Sequence, residues 1–409
     1  GSVMATSTTD AVPAPTATIT ASGTTASDAV ARHLAAARRG PRRRRALVVG
    51  VLLLLLVALV LVRALLGDYR VSFVDAIAII GDEQIPGASF VLMESTLPRA
   101  VMAVLAGAAF GAAGSAFQVL LRNPLASPDV LGITLGASAG AVIAVVTFGV
   151  RGTPVTLAAL AGAFGAAALI LSQAGGRGGA TGRMVLVGVA LAAGLSAVVH
   201  WVLVRASIYQ AQDALIWLSG SLNSVTWAEI ARLLALDAVL IPLLLVLASA
   251  LPVLGLGDDL AAGLGVRVGR LRVGVTAIVV ALVASATAVV GPIAFVGFLA
   301  GPIARRLVPG RPAIGIGALV GAVVVVAADH VAAYAIPGTA LPVGVVTGLL
   351  GASLALIISV LALLGIAARQ AWPMSSLPLP SAILVATAAV GLLGGVVQTR
   401  PEMEKVTLG

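Results

Sequence analysis

Long apolar stretches, broken by short polar or Gly/Pro-bearing connections, run along the chain. Ten stand out: 46–66, 97–118, 132–150, 154–173, 184–204, 229–251, 273–291, 292–304, 313–335 and 342–366. A bilayer-spanning helix needs about 20 apolar residues, because the hydrocarbon core is about 30 Å thick and each helical residue rises about 1.5 Å. Nine stretches approach that length, and 292–304 is too short to span alone. The pattern predicts an all-α polytopic membrane protein of about ten transmembrane helices over residues 46–369.

Composition agrees. Of 409 residues, 60% are hydrophobic and 10% charged. Soluble domains average about 25% charged residues, so this chain cannot cover a soluble surface. A disordered chain is excluded by the hydrophobicity, and a collagen by the lack of any G-X-Y period. There are no cysteines, hence no thiolate metal site or cysteine nucleophile. Lys405 is the sole lysine and follows no glycine loop, so no Walker A site exists in the sequence. The stretch Leu218-Ser219-Gly220-Ser221-Leu222 is only a faint likeness to an ATPase signature loop. Any uphill work draws on another subunit or an ion gradient.

The net charge is +9, and its densest cluster is Arg38, Arg39 and Arg42 to Arg45. Residues 1–45 read as a disordered basic tail. The cluster abuts the first span, and basic residues beside a span stay on the cytoplasmic side. That reading places the N-terminus in the cytoplasm and makes a nucleic-acid partner unnecessary. Sorted on that basis, Arg122, Arg177, Arg183, Arg267, Arg270, Arg272, Arg305, Arg306, Arg311 and Arg369 also fall inside. Arg63, Arg70, Arg99, Arg151, Arg205 and Arg232 fall at outer ends.

Glycines four apart recur at Gly107/Gly111, Gly132/Gly136/Gly140, Gly317/Gly321 and Gly344/Gly348. Such spacing lets helix backbones approach closely in lipid. Residues 67–96 read as an amphipathic helix and loop on the outer surface. Residues 205–228 carry Tyr209, Trp217 and Trp227, which suits an interfacial belt, a docking surface or a pathway mouth. The cytoplasmic connection 252–272 predicts a two-turn helix capped by Asp258 and Asp259 and ended by glycine, with Leu260 and Leu264 on one side. It rests on headgroups or offers a knob to a cytoplasmic partner.

The ordered motifs carry a resemblance. Leu97-Pro98-Arg99, Gln118, Arg122-Asn123-Pro124-Leu125-Ala126, Pro128 and Leu131-Gly132 open the series. Trp217 to Asn223, Leu256-Gly257-Asp258-Asp259 and Leu264-Gly265-Val266 follow. Gly291-Pro292-Ile293-Ala294-Phe295-Val296-Gly297, Ala328-Asp329 and Leu341-Pro342-Val343-Gly344 complete it. Over residues 50–366 the chain resembles the iron-siderophore and vitamin B12 permease family of ABC importers. The Trp217 and Gly257 blocks look most like ferric-enterobactin-type subunits.

The resemblance implies a type II ABC importer permease fold in a bacterial cytoplasmic membrane. It implies a second permease subunit, identical or related, two ATP-binding cassette ATPases holding ATP and Mg, a substrate-binding lipoprotein and a ferric siderophore cargo. Haem and cobalamin permeases share the blocks. Asp258, Asp259, Leu260, Gly263, Leu264 and Gly265 match the family's ATPase-coupling helix. Arg99 matches an arginine that docks the binding protein, while Thr96 and Ala333 stand where other basic residues are usual. Thr134, Leu135 and Ser138 are expected on the translocation path. Gly301 stands in place of a family proline.

Other readings find less support. Asp237 with His200 is the only candidate pair for a proton relay in an ion-driven carrier. No metal site or catalytic constellation is expected, and no cofactor in this chain. Residues 370–409 extend past the family's usual end. Their apolar stretch 381–397 reads as an eleventh span, a re-entrant piece or part of a fusion.

Overall fold

The computed structural model describes residues 23–353, apart from 67–70, 82, 125, 130, 151, 173–179, 224, 310–312 and 337–339. The tail 370–409 and the second half of the expected span 342–366 lie outside the described residues. The chain divides into two units, Gly1–Leu47 and Val48–Gly409. In the first, residues 23–47 are helical; the second is a helical bundle.

The helices are α1 (Gly23–Leu65), α2 (Phe73–Ile80), α3 (Ala88–Phe90), α4 (Leu97–Leu120), α5 (Ile133–Phe148), α6 (Thr153–Ser172), α7 (Ala180–Arg205), α8 (Ile208–Leu218), α9 (Trp227–Ala248), α10 (Leu251–Leu254), α11 (Asp258–Gly263), α12 (Val268–Val290), α13 (Val296–Leu307) and α14 (Ile314–Tyr334). A last apolar helix, α15, covers Val343–Ser353. A π-helical turn, Val91–Thr96, joins α3 to α4. A helix therefore lies on each of the ten expected spans. Among the described residues, seven helices are long and apolar enough to cross a membrane; α5 and α15 are apolar but shorter.

Local chemistry sets the ends. Ser207 with Gln210 and Thr226 with Glu229 form reciprocal capping boxes at the starts of α8 and α9. These satisfy backbone N–H groups that an apolar surrounding would leave costly.

Helix α4 is the axis of the bundle, packed by α9, α12, α13 and α14. Its glycines let it sit there. A Cβ at Gly107 or Gly111 would strike the backbone of Gly321 or Gly317 on α14, and one at Gly114 would strike Gly297 on α13. The two glycine pairs read from the sequence thus meet each other. Likewise Gly136 and Gly140 of α5 press on Gly162 and Ala158 of α6. Gly348 differs, with nothing within 4 Å. In lipid there is little hydrophobic gain between helices, so such close contact supplies the attraction through dispersion.

Polar pins add direction. The Gln118 amide of α4 donates to the carbonyls of Gly297 (3.3 Å) and Phe298 (3.1 Å), and its Oε1 accepts from Arg305 at 2.9 Å. A Cβ on Gly301 would collide with that Oε1, which gives a physical reason for glycine at that position.

Between α12 and α13 the chain leaves helical geometry. Gly291 has φ 72° and Phe295 φ 66°. Gly220, Pro292 and Gly344 crowd together there, and Ser221 N–H donates to Val290 at 2.9 Å. Irregular backbone is tolerated at such depth only when protein covers it. Phe295 packs edge-on to Phe298, with centroids 6.0 Å apart.

Candidate functional site

Two ends of the bundle carry the polar chemistry. At one end, α11 projects from the connection between α9 and α12. Leu260 is 63% exposed and Leu264 65%, while Ala261 between them is fully buried. Residues four apart share a helix face, so the two leucines form one outward apolar ridge. Asp259, Gly263 and Gly265 are exposed beside it. The helix closes on Gly265, at φ 85°, through bonds from Gly265 N–H to Ala262 and Val266 N–H to Ala261. This is the glycine stop expected from the sequence.

The start of α11 differs from expectation. Gly257 occupies the N-cap, and no side chain caps the helix. The Asp258 carboxylate turns instead to two guanidinia, Arg122 Nη2 at 3.2 Å and Arg272 Nη2 at 3.1 Å. The carboxylate is thus engaged by two charge-assisted bonds to arginine and not by the helix N-terminus.

Arg122, Asn123 and Pro124 form the turn that ends α4. Arg122 N–H bonds Val119 and Asn123 N–H bonds Gln118. Asn123 and Pro124 are exposed. Further along the connection to α5, the half-buried Asp129 accepts from Ser127 Oγ at 3.2 Å and from Thr134 Oγ1. Burial raises the Asp129 pKa above its ordinary value, and the two hydroxyl bonds oppose that shift.

Three expected path residues lie on the first part of α5. Thr134 is 7% exposed and engaged by Asp129; Ser138 is 2% exposed and donates to the Thr134 carbonyl at 3.0 Å. Both hydroxyls therefore point into the protomer, and only Leu135 is partly exposed. Small or polar residues are presented instead by α7, where Ala193, Gly194, Ala197 and His200 are exposed. His200 Nδ1 sits 2.7 Å from the Ser196 carbonyl.

At the opposite end, three helix ends meet in a buried ion cluster. Arg63 closes α1, Arg99 opens α4 and Asp329 stands near the end of α14. Arg63 Nε lies 2.6 Å and Arg99 Nη2 2.8 Å from the Asp329 carboxylate, which is fully buried. Arg99 also donates to Asn223 in the loop before α9. The Arg63 guanidinium stands 5.8 Å from the Tyr334 ring. Arg99, matched to a docking arginine, is only 12% exposed and spends its donors within the protomer. Arg63 is the single charged residue of the stretch 46–66, and Asp329 is the single acid of 313–335. Two such complementary residues at corresponding span ends were the available signal.

Beside the cluster, Trp227 Nε1 donates to Met93 in the π turn at 2.8 Å. A cavity of about 370 Å³ opens between α5, α6, α8 and α12, lined by Thr156, Asp213, Trp217, Ser221 and Glu229 among others. The segment 205–228 thus contributes a concave wall.

Asp237 is 5% exposed on the buried stripe of α9, and neither carboxylate oxygen has a hydrogen-bond partner among the described residues. His200 sits on another helix, exposed, so the candidate relay pair is split between a buried and an exposed site. Among the described residues no group of three His, Asp or Glu side chains is placed to hold a metal.

Comparison with known proteins agrees with this architecture. Residues 52–361 match the FecCD transport family. The chain is 41% identical over 269 residues to the ferric enterobactin transport system permease protein FepG of Escherichia coli (strain K12), covering 64% of this chain and 80% of that one. It is 37% identical over 268 residues to the Fe(3+)-citrate import system permease protein YfmE of Bacillus subtilis (strain 168), with 64% and 80% coverage. A solved structure of an inward-facing conformation of a metal-chelate type ABC transporter superposes with TM-score 0.67 at 26% identity, covering 76% of this chain and 98% of that one. Ten helices on the expected spans, a short amphipathic helix at one end and these matches agree: the chain is a multi-pass membrane permease and belongs to the FecCD transport family.

Proposed function

We propose that this permease carries a ferric siderophore inward across the bacterial cytoplasmic membrane, driven by ATP hydrolysis on partner subunits. The observation that carries the coupling is α11: its exposed Leu260 and Leu264 form an apolar ridge beside the connection between two spans. A soluble partner with a groove would cover that ridge, whereas isolated exposed leucines on a polar surface gain nothing. ATP and Mg reside on two such ATPases. A second permease subunit, identical or related, covers the small-residue face of α7. A lipoprotein delivers the chelate at the Arg63–Asp329 end, which faces outward, and the N-terminus stays in the cytoplasm. The similarity to permeases named for ferric enterobactin and Fe(3+)-citrate favours a ferric chelate over haem or cobalamin.

The test is co-expression with a cognate ATPase. Leu264→Arg is expected to abolish co-purification of the ATPase and uptake together. Undiminished pairing and uptake would remove the docking assignment. Uptake that survives ATP depletion but collapses with a protonophore would instead favour an ion-driven carrier.

A further inference from the structure

Arg122 occupies a backbone position built for glycine. It follows Leu121, the C-cap of α4, and has φ 52°. Its N–H bonds Val119 and the next N–H bonds Gln118, the paired closure in which glycine is the usual left-handed residue. A side chain there crowds the following carbonyl. An observed outlier of this kind asks what the side chain does in return.

The guanidinium reaches across 132 residues of sequence to the Leu254 carbonyl, and its Nη2 also lies 3.2 Å from Asp258 Oδ1. Asp258 is the first residue of α11, and Arg272, in the first turns of α12, holds the same carboxylate from the other side at 3.1 Å. Leu254, at the end of α10, is buried. One carboxylate thus joins the end of α4, the start of α11 and the start of α12, while the Leu254 carbonyl ties the approach to α11.

We propose that Asp258, clamped by Arg122 and Arg272, is a positioning residue that fixes the tilt of α11 against α4 and α12 and passes its movement to them. Leu260 and Leu264 make the contact with the partner; Asp258 makes the contact with the transport helices. Besides the clamp, α11 buries Ala261 and packs against α10 and α12. The link to transport rests on the docking role proposed for α11; the clamp itself does not.

The chain has no cysteine, so paired nitroxide labels need no background removal. Labels at Leu264→Cys, at the C-cap of α11, and Leu169→Cys, on the exposed face of α6, report the tilt in the permease alone, in nanodiscs, by pulsed dipolar spectroscopy. The parent protein is expected to give one narrow distance peak. Asp258→Ala and Arg122→Ala should each lose it to a broad distribution, and Asp258→Glu should keep it. Arg122→Gly is decisive: it relieves the backbone yet removes the guanidinium, so its peak should broaden while its thermal stability is kept. Exposed ion pairs contribute little to folding, so the variants remain measurable. In the full complex, these broadened variants should hydrolyse ATP but import less chelate per ATP. A narrow peak in Arg122→Gly and Asp258→Ala would overturn the clamp. If Leu264→Arg keeps its ATPase but the peaks broaden as expected, the clamp stands and the docking role falls.

Discussion

Arg63 and Asp329 are 266 residues apart in sequence and 2.6 Å apart in space, and together with Arg99 they staple three helix ends. Their side chains are 3% and 0% exposed. A buried pair adds little over well-packed apolar residues, but breaking one from a single side leaves an uncompensated charge, at about 3–5 kcal/mol. Asp329→Ala strands two guanidinia and is expected to lower the thermal midpoint of the purified permease sharply. An unchanged midpoint would show that water reaches the arginines.

Glycine contacts give a prediction whose sign depends on place. Within an exposed helix, Gly→Ala stabilises by about 1 kcal/mol. At Gly321 the added methyl would meet the Gly107 carbonyl and the Gly111 backbone, and overpacking costs about 1–3 kcal/mol. At Gly50, nothing lies within 4 Å. Gly321→Ala should therefore lower the unfolding temperature in detergent and Gly50→Ala should keep or raise it. Equal effects would mean that α4 and α14 can part without loss.

Asp129 predicts a pH slope. Burial holds its folded pKa above the ordinary carboxyl value of 3.8, so the folded state favours the protonated form. The stability from this group is full below the unfolded pKa and is lost as pH rises through the folded one. Asp129→Asn, which cannot ionise, should flatten the slope of thermal stability from about pH 4 upward. A slope identical to that of the parent would place the pH dependence elsewhere.

The spans were legible because each writes its own signal: a run of apolar residues needs no knowledge of its neighbours. The short helix α11 was legible for a similar reason, since Leu260, Leu264 and Gly265 act within a few residues of one another. The partners of Asp258 were not. Arg122 lies on a different helix end, and local capping rules favoured the backbone for that carboxylate. The burial of Thr134 and Ser138 was not legible either, because the face that α5 presents depends on α6 and α7. Gly136 and Gly140 turn one side of α5 against α6, and the Asp129 turn takes up the Thr134 hydroxyl.

The backbone-to-backbone meeting of α4 with α13 and α14 bears on how such a carrier can work. Side chains between helices can change rotamer and repack as helices slide. Gly107, Gly111, Gly114, Gly297, Gly317 and Gly321 have no side chain to do so. One helix would have to climb over the main chain of the other to shift lengthwise. These three helices therefore form a stator, and alternating access is left to rotation of the whole body or to the exposed helices around it, α7 first among them.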